Sequence, residues 1–429
     1  MKKIVFLFAV LSCVNISAQH LSMQDAIDIA LKKNFDIIVS RSQAEINKLN
    51  NTKGNAGMLP TVGLQATGDA SYEDAYQKQS TGIVNKYSSQ FNTDLSTNAI
   101  LSWTLFDGGR MFITKNKLSE MQSLGEFQFR SRVMDVMYNV IAAYFDIVCQ
   151  KEQLKSIFEV INYNRQREAI AQTGFNAGTL AKTELLQAQI DLNVAMETSI
   201  NQRHAIDVAR KELNILLGRN PDTAIEVSDT IPFASVPDKN TMMLKLESSN
   251  ADLLTLKKQI DVAELSMKEA QKSSAPNLHF NGGYSFSIRA HTQGNLRNEH
   301  SNGIQVGATL SIPIYTAGET KRKVSVAQTE LQIAQSNLDQ TRLEVNKEVQ
   351  NAYSDFESQQ ELLKIERKNN LLSKENLEIS MQRLRLGQTT SLEVHQAQEN
   401  YAQSSLRLIN FEYNLKMAET KLRQMISDL

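Results

Sequence analysis

The chain has 429 residues, with 46 Lys and Arg against 47 Asp and Glu, and it is too long for one ordinary domain. A net charge of -1 lacks the basic excess that nucleic-acid binders usually show. A mean hydropathy of -0.34 excludes a multi-span bundle of apolar helices. Six prolines and one tryptophan leave long uninterrupted runs of helix-forming residues.

The N-terminus reads MKKIVFLFAVLSCVNISAQH. Lys2 and Lys3, the apolar run Ile4–Leu11 and the small residues before Gln19 have the form of an export signal, with cleavage expected after Ala18. A lipoprotein signal ending at Cys13 is the rival reading. If Cys13 leaves with the signal, Cys149 remains as a lone thiol inside an apolar helical stretch, where a small buried hydrophobe is expected.

The mature chain divides into a first repeat (19–218), a linker (219–237) and a second repeat (238–429). In the first, a helix precedes Pro60 and two segments of period-two alternation, 61–72 and 94–105. The polar stretch 73–93 reads as a loop. The motif WTLFDGG then leads into a helix from about Met111 to Thr173, roughly 95 Å long at ~1.5 Å per residue. Its apolar series Val133, Met137, Val140, Tyr144, Ile147 continues through Leu154, Phe158 and Ile161, a near-heptad spacing that predicts packing against neighbouring helices. A glycine turn, FNAGTLAKTELLQAQ, reverses the chain, so that the helical hairpin spans 111–217. The linker holds half of the prolines. The second repeat predicts strands 277–288 and 303–314, a loop 289–302, and a hairpin 320–427 turning at LRLGQTTSLEVHQAQ.

A shift of 209 superposes much of the two halves. It sets LSWTLFDGGR on LSIPIYTAGE, Gly178 on Gly387, Glu184 on Glu393, and Gln187-Ala188-Gln189 on Gln396-Ala397-Gln398. Earlier in the chain a shift of 216 matches Asn34-x-Asp36 to Asn250-x-Asp252 and Pro60 to Pro276. The chain is a duplication, with a longer loop in the first copy.

Alternation alone also describes a half-buried sheet in a soluble protein. Strand lengths of ~10–12 residues, aromatics near strand ends and an export signal favour a membrane β-barrel. Four strands cannot close one, and open edges cannot face lipid. The chain must therefore oligomerise; two copies would give eight strands and three would give twelve. The turns, on hairpins of this scale, are expected far from the strands.

The segment LSMQDAIDIALKKNFDIIVSRSQAEINKLN (21–50), the WTLFDGG strand exit and the doubled glycine turn followed by Glu and QAQ resemble the TolC family of outer-membrane efflux channels. The resemblance covers nearly the whole mature chain. It implies a mainly α fold with membrane β: a homotrimer with a 12-stranded barrel continued by a long periplasmic α-helical barrel. It also implies the outer membrane of a Gram-negative bacterium, contact with outer-membrane lipid, and partners in a periplasmic adaptor and an inner-membrane pump or ABC exporter. The expected function is a passive exit duct for efflux or type I secretion, with no enzyme activity, no cofactor and no nucleic acid. The rival is a periplasmic coiled-coil adaptor without its own pore.

Two sites follow from the resemblance. Gly178, Thr179, Glu184, Leu386, Gly387, Thr389, Glu393 and Gln396 would form a closable tip and its docking surface. Glu393 and Glu184 match an acidic ring, whereas Gln396 and Thr389 stand where other members carry an acid and a base. An ordinary helix-start Glu, favoured by the helix dipole, is the plain alternative for Glu393. Trp103, Phe106, Asp107, Gly108, Gly109, Tyr315, Thr316 and Gly318 would form the barrel-to-helix junctions. Leu101, Trp103 and Leu105 would face lipid and the interface, and Thr316 to Glu319 fit a capping box. His291 and His300 read as residues of a solvated loop rather than metal ligands, and the sequence does not decide whether His395 lines the tip or faces solvent. No Walker, nucleophile-elbow, HExxH or cysteine-pair motif is present.

Overall fold

A computed structural model describes residues 19–228, 230–293 and 297–429; the expected export signal, with Cys13, lies outside the described residues. The elements in chain order are β1 (Gln19–Leu21), α1 (Met23–Lys33), α2 (Phe35–Asn50), β2 (Thr61–Lys78), β3 (Val84–Phe106), α3 (Arg110–Asn176) and α4 (Lys182–Leu216). They continue as β4 (Ile225–Val227), α5 (Lys239–Ser249), α6 (Ala251–Gln271), β5 (Asn277–His291), β6 (Asn298–Ser311), α7 (Glu319–Arg385) and α8 (Ser391–Met425).

The duplication is visible in these bounds. α3 and α7 each have 67 residues and α4 and α8 each have 35, at the offset of 209. The anchors Asn34 and Asn250 carry the same structural task. Asn34 interrupts the helix between α1 and α2, where its Oδ1 accepts from the backbone N–H groups of Asp36 (2.9 Å) and Ile37 (3.2 Å). Its Nδ2 donates to the carbonyl of Leu216 at 2.8 Å, at the end of α4. Asn250 does the same for Asp252, Leu253 and the carbonyl of Met425. One side chain thus starts a helix and satisfies an end carbonyl of another, both of which would otherwise be orphaned.

The chain forms two compact units. Among the described residues, one comprises those up to Ser42, Phe127–Leu254 and Thr341–Leu429, the other Gln43–Glu126 and Thr255–Gln340. The core of the first gathers Leu21, Ile37, Val140, Tyr144, Ile147, Leu213 and Val227. The expected heptad seam supplies Val140, Tyr144 and Ile147 to it. Tyr144 also donates its hydroxyl to the carbonyl of Leu21 at 2.9 Å, beside the short parallel pair β1–β4. Past Lys151, whose Nζ reaches the carbonyl of Val227 at 3.1 Å, the seam shifts. Ile157 rather than Phe158 is buried, and Phe158 lies half-exposed under the guanidinium of Arg203.

The second unit holds an antiparallel sheet in the order β2-β3-β5-β6. Its strands differ from the expected ones. β2 and β3 run to Lys78 and from Val84, so the loop read as 73–93 shrinks to five residues, 79–83. Both faces of that ribbon mix polar side chains with single apolar ones (Ala75–Tyr87, Tyr76–Lys86, Lys78–Val84), which hides the alternation while the backbone pairing continues. β5 and β6 likewise extend to His291 and from Asn298, narrowing the loop read as 289–302 to the residues between them. At its other end β6 stops at Ser311 rather than 314, because Pro313 has no N–H for the ladder.

The register sorts side chains cleanly. One face carries the rungs Val62–Leu101–Gly282–Val306 and Leu64–Ala99–Tyr284–Ile304. The other carries Gln65–Asn98–Ser285–Gly303 and Thr67–Ser96–Ser287–Ser301. Leu101 and Trp103 lie on the apolar face as expected. Leu105 is displaced, because a bulge between Thr104 and Phe106 leaves it without a ladder partner and Phe106 pairs with Leu278 on that face instead. His291 and His300 fall on opposite faces, paired to Asn92 and Ile288, so the register separates rather than joins them.

Candidate functional sites at the junctions and the glycine turns

At the first strand exit the sequence Asp107-Gly108-Gly109 makes the bend. Gly108 and Gly109 have φ of 72° and 83°, in the left-handed region that side chains resist. Gly108 is needed a second time for space, since a Cβ there would sit 2.1 Å from that of Ala275. Asp107 is buried, and its Oδ2 accepts from the backbone N–H of Met111 at 2.8 Å. A carboxylate bonded to a first-turn amide starts α3 and complements its dipole. Trp103 is held beside the bend by its indole N–H, which donates to the carbonyl of Met58 at 3.1 Å.

The second exit is built differently. The capping box expected from Thr316 to Glu319 does not form. Ala317 and Gly318 both take positive φ (50° and 77°), so α7 begins at Glu319 itself, and Glu319 is its first residue rather than its third. The amide of Glu319 bonds the carbonyl of Thr316 (2.9 Å), while its carboxylate pairs with Lys323 at 2.8 Å. Tyr315 stands exposed beside this turn.

The two glycine turns share one geometry. In the first, Thr179 N–H bonds Gly174 O (2.8 Å) and Gly178 N–H bonds Phe175 O (3.0 Å). In the second, Gln388 N–H bonds Arg383 O (2.8 Å) and Gly387 N–H bonds Leu384 O (3.0 Å). These are paired Schellman closures, with Gly178 and Gly387 at φ of 73° and 71°.

The flanking side chains differ. Thr390 caps α8 by accepting from Glu393 N–H at 3.3 Å, whereas Ala181 at the start of α4 offers no side-chain cap. Glu393 is clasped within its own turn: Arg383 holds Oε1 at 3.2 Å and the Thr389 hydroxyl holds Oε2. Arg383 also reaches the carbonyl of Gln388 at 3.1 Å. Thr179 bonds back to Gly174 O (3.0 Å), and Gln396 bonds Asn400 (3.3 Å). Glu184 lies in the first turn of α4 and Leu386 is exposed.

Sequence reasoning missed the polar cluster one to three turns inward. Arg167 is only 1% exposed, yet it bridges three helices. It ion-pairs with Asp191 of α4 and donates to Gln398 Oε1 of α8 at 3.2 Å. His395 Nδ1 lies 3.2 Å from Arg167 Nη1 and 3.3 Å from Asp191 Oδ2. Gln398 donates onward to Asn164 at 2.7 Å. Burial lowers the guanidinium pKa, and the ion pair with Asp191 offsets that cost. The available signal was Asn164 and Arg167 standing on the buried seam after Ile157 and Ile161, where apolar residues are the norm. His395 thus belongs to an internal tie. Tyr401, whose hydroxyl meets Glu159 at 2.5 Å, has its pKa raised chiefly by burial.

Burial also pushes the Cys149 thiol up to about 12, leaving it protonated and inert. Among the described residues no group of three or more His, Cys, Asp or Glu side chains is arranged to hold a metal ion.

Residues 26–219 and 244–427 match the sequence model of the family described as outer membrane efflux protein. The alkaline protease secretion protein AprF of Pseudomonas aeruginosa is 23% identical over 347 residues, covering 79% of this chain and 70% of AprF. The outer membrane protein TolC of Vibrio cholerae is 22% identical, covering 88% of this chain and 84% of that protein. Among solved structures, the VceC outer membrane protein of Vibrio cholerae superposes with a TM-score of 0.78 at 14% identity, over 94% of this chain and 95% of VceC. The CmeC channel of Campylobacter jejuni gives 0.79 at 17%, over 95% and 85%.

Proposed function

The chain belongs to the outer membrane efflux protein family, and from that premise we propose that three copies close one pore and pass cargo received from periplasmic partners. The protein is an outer-membrane channel reaching into the periplasm, an exit duct for efflux or type I secretion. The family is one of channels, and in our reading this chain contributes a path and a gate but no chemistry.

The observation that carries the proposal is the sheet of β2, β3, β5 and β6. It is apolar on one face and polar on the other, and among the described residues the outer edges of β2 and β6 are unpaired. Unpaired N–H and C=O groups each cost several kcal/mol in hydrocarbon, so the sheet enters a bilayer only after its edges pair with other copies. Three copies supply twelve strands. The polar faces then line water and the apolar faces meet lipid.

The glycine turns are the proposed tip. Gly178 and Gly387 permit the reversals, and Leu386 and Leu392, 70% and 76% exposed, offer an adaptor an apolar foothold beside the second turn. Glu184, Thr179 and Gln396 would stand with them. The Arg383–Glu393–Thr389 clasp keeps that turn rigid, so in our reading Glu393 shapes the gate by stiffening it more than by lending a free charge. An inner-membrane pump or ABC exporter would supply the energy through a periplasmic adaptor.

Purified protein added to a planar lipid bilayer tests the proposal. Stepwise ion conductance is expected; a preparation that inserts into no bilayer and sediments as a soluble monomer would contradict it and favour a pore-less adaptor.

A further inference from the structure

Three buried side-chain oxygens without a hydrogen-bond partner gather at the first strand exit: Asp107 Oδ1, Ser273 Oγ and Asn277 Oδ1. Each belongs to a residue within two positions of one tight approach, where Gly108 packs against Ala275. The ladder explains the placing of two of them. Phe106 pairs with Leu278 in antiparallel register, so one step further along both strands Asp107 stands opposite Asn277. Ser273 arrives from the short 3-10 turn Lys272–Ser274 that leads into β5.

Asp107 is the most costly of the three. It is only 9% exposed. Its Oδ2 accepts from the Met111 amide at 2.8 Å, and Arg110 Nε lies 3.7 Å from that same oxygen. Its Oδ1 meets neither solvent nor a donor. An anionic oxygen left in that state loses its hydration with nothing in exchange. Folded proteins keep few such groups, and a bound ion or water accounts for most of them. Here all three are oxygens and one is ionised, which is the donor set of a hard cation. A neutral water would fill hydrogen bonds but leave the carboxylate charge on this side unbalanced. The duplication points the same way. A shift of 209 takes Asp107 to Thr316, and a shift of 216 takes Ser273 and Asn277 back to Gly57 and Thr61. A strand-to-helix bend therefore forms in this chain without a carboxylate, and Asp107 calls for a reason of its own.

We propose that Asp107, Ser273 and Asn277 bind one Ca2+ per chain, with water and backbone carbonyls completing its shell. Ca2+ accepts about six to eight oxygens in a flexible arrangement, whereas Mg2+ demands a near-ideal octahedron that an irregular turn does not offer. The ion ties the end of β3 to the start of β5 at the bend where α3 begins. One carboxylate makes a weak site, with a dissociation constant of about 0.1 to 1 mM. The set Thr316, Gly57 and Thr61 holds no carboxylate, so the second exit binds none and the stoichiometry is one. The proposal does not depend on whether the chain conducts.

Equilibrium dialysis of the full-length, chelator-treated protein in detergent against radioactive calcium chloride tests it. Wild type should bind about one Ca2+ per chain with a millimolar or tighter constant. Asp107→Asn keeps an oxygen for the Met111 amide but removes the charge, and should weaken binding about tenfold or more. Asn277→Asp adds a second carboxylate and should tighten binding by a similar factor. A bridging water predicts the reverse for that variant: two facing carboxylates would repel, and calcium affinity would not rise. Calcium held by co-purified lipid is common to all three proteins and cancels in the comparison. The two variants act in opposite directions, so a folding defect in one does not mimic the expected pair of results. Folded wild type that binds no calcium in this range, or equal binding by wild type, Asp107→Asn and Asn277→Asp, would overturn the proposal.

Discussion

Removing Asp191 should loosen the tie among α3, α4 and α8. Arg167 is 1% exposed and spans all three helices, with Asp191 as its one carboxylate partner at ion-pair distance among the described residues. After Asp191→Ala the buried guanidinium would keep only Gln398 and His395, with no carboxylate to balance its charge. Stranding a buried charge in this way costs ~3–5 kcal/mol. If the region opens locally, backbone protection against hydrogen exchange should fall by about two to four orders of magnitude. Exchange read by mass spectrometry on peptides covering 160–174 and 188–200 would show it, with sheet peptides as internal controls. The double variant Arg167→Met, Asp191→Leu should recover most of the protection, because two apolar groups leave no orphaned charge. The reasoning fails if Asp191→Ala loses less than threefold protection, or if the double variant is as loose as the single one.

Other consequences follow from the same geometry. Leu101→Arg or Leu310→Arg puts a charge on the apolar face of the sheet, which should cost ~2–4 kcal/mol per site near mid-bilayer and abolish assembly; normal amounts of oligomer in outer-membrane fractions would show the faces to be assigned wrongly. Gly108→Ala adds a collision with Ala275 to left-handed strain of ~1–3 kcal/mol, whereas Gly109→Ala adds strain alone. Heat-modifiable gel migration should therefore show less assembled protein for the first variant than for the second. Glu393→Ala should raise conductance or alter block by divalent cations in planar bilayers while moving stability by no more than ~1 kcal/mol, since the Arg383 pair is exposed. Cys149, with its thiol pushed up to about 12, should resist maleimide at pH 8 in the native protein and react only after denaturation.

Much of the fold was written in spacing. Matching offsets of 209 and 216 mark both copies in the sequence, because cap residues such as Asn34 and Asn250 and turn residues such as Gly178 and Gly387 do fixed backbone work. Strand faces were legible wherever one side is apolar. Where that asymmetry ends, legibility ends too: the ribbon beyond Tyr72 mixes polar and apolar side chains on both sides and reads as loop, though it pairs as far as Lys78. The bulge at Leu105 was invisible because it exchanges one apolar residue for another, Phe106. The missing capping box shows a different limit. Thr316 and Glu319 have the right spacing, but Ala317 takes a positive φ that its side chain gives no reason to expect. The Arg167 cluster was hidden because its members come from three helices, and nothing in a linear reading brings Asp191 to Arg167.

The central claim is that an open four-stranded sheet becomes a pore wall only by joining copies of itself. Native mass spectrometry of the detergent-released outer-membrane protein tests this most directly. The account predicts a particle of three chains that persists until heated. A folded monomer as the only species in that fraction would contradict it, since both edges of the sheet would then lie unpaired in lipid.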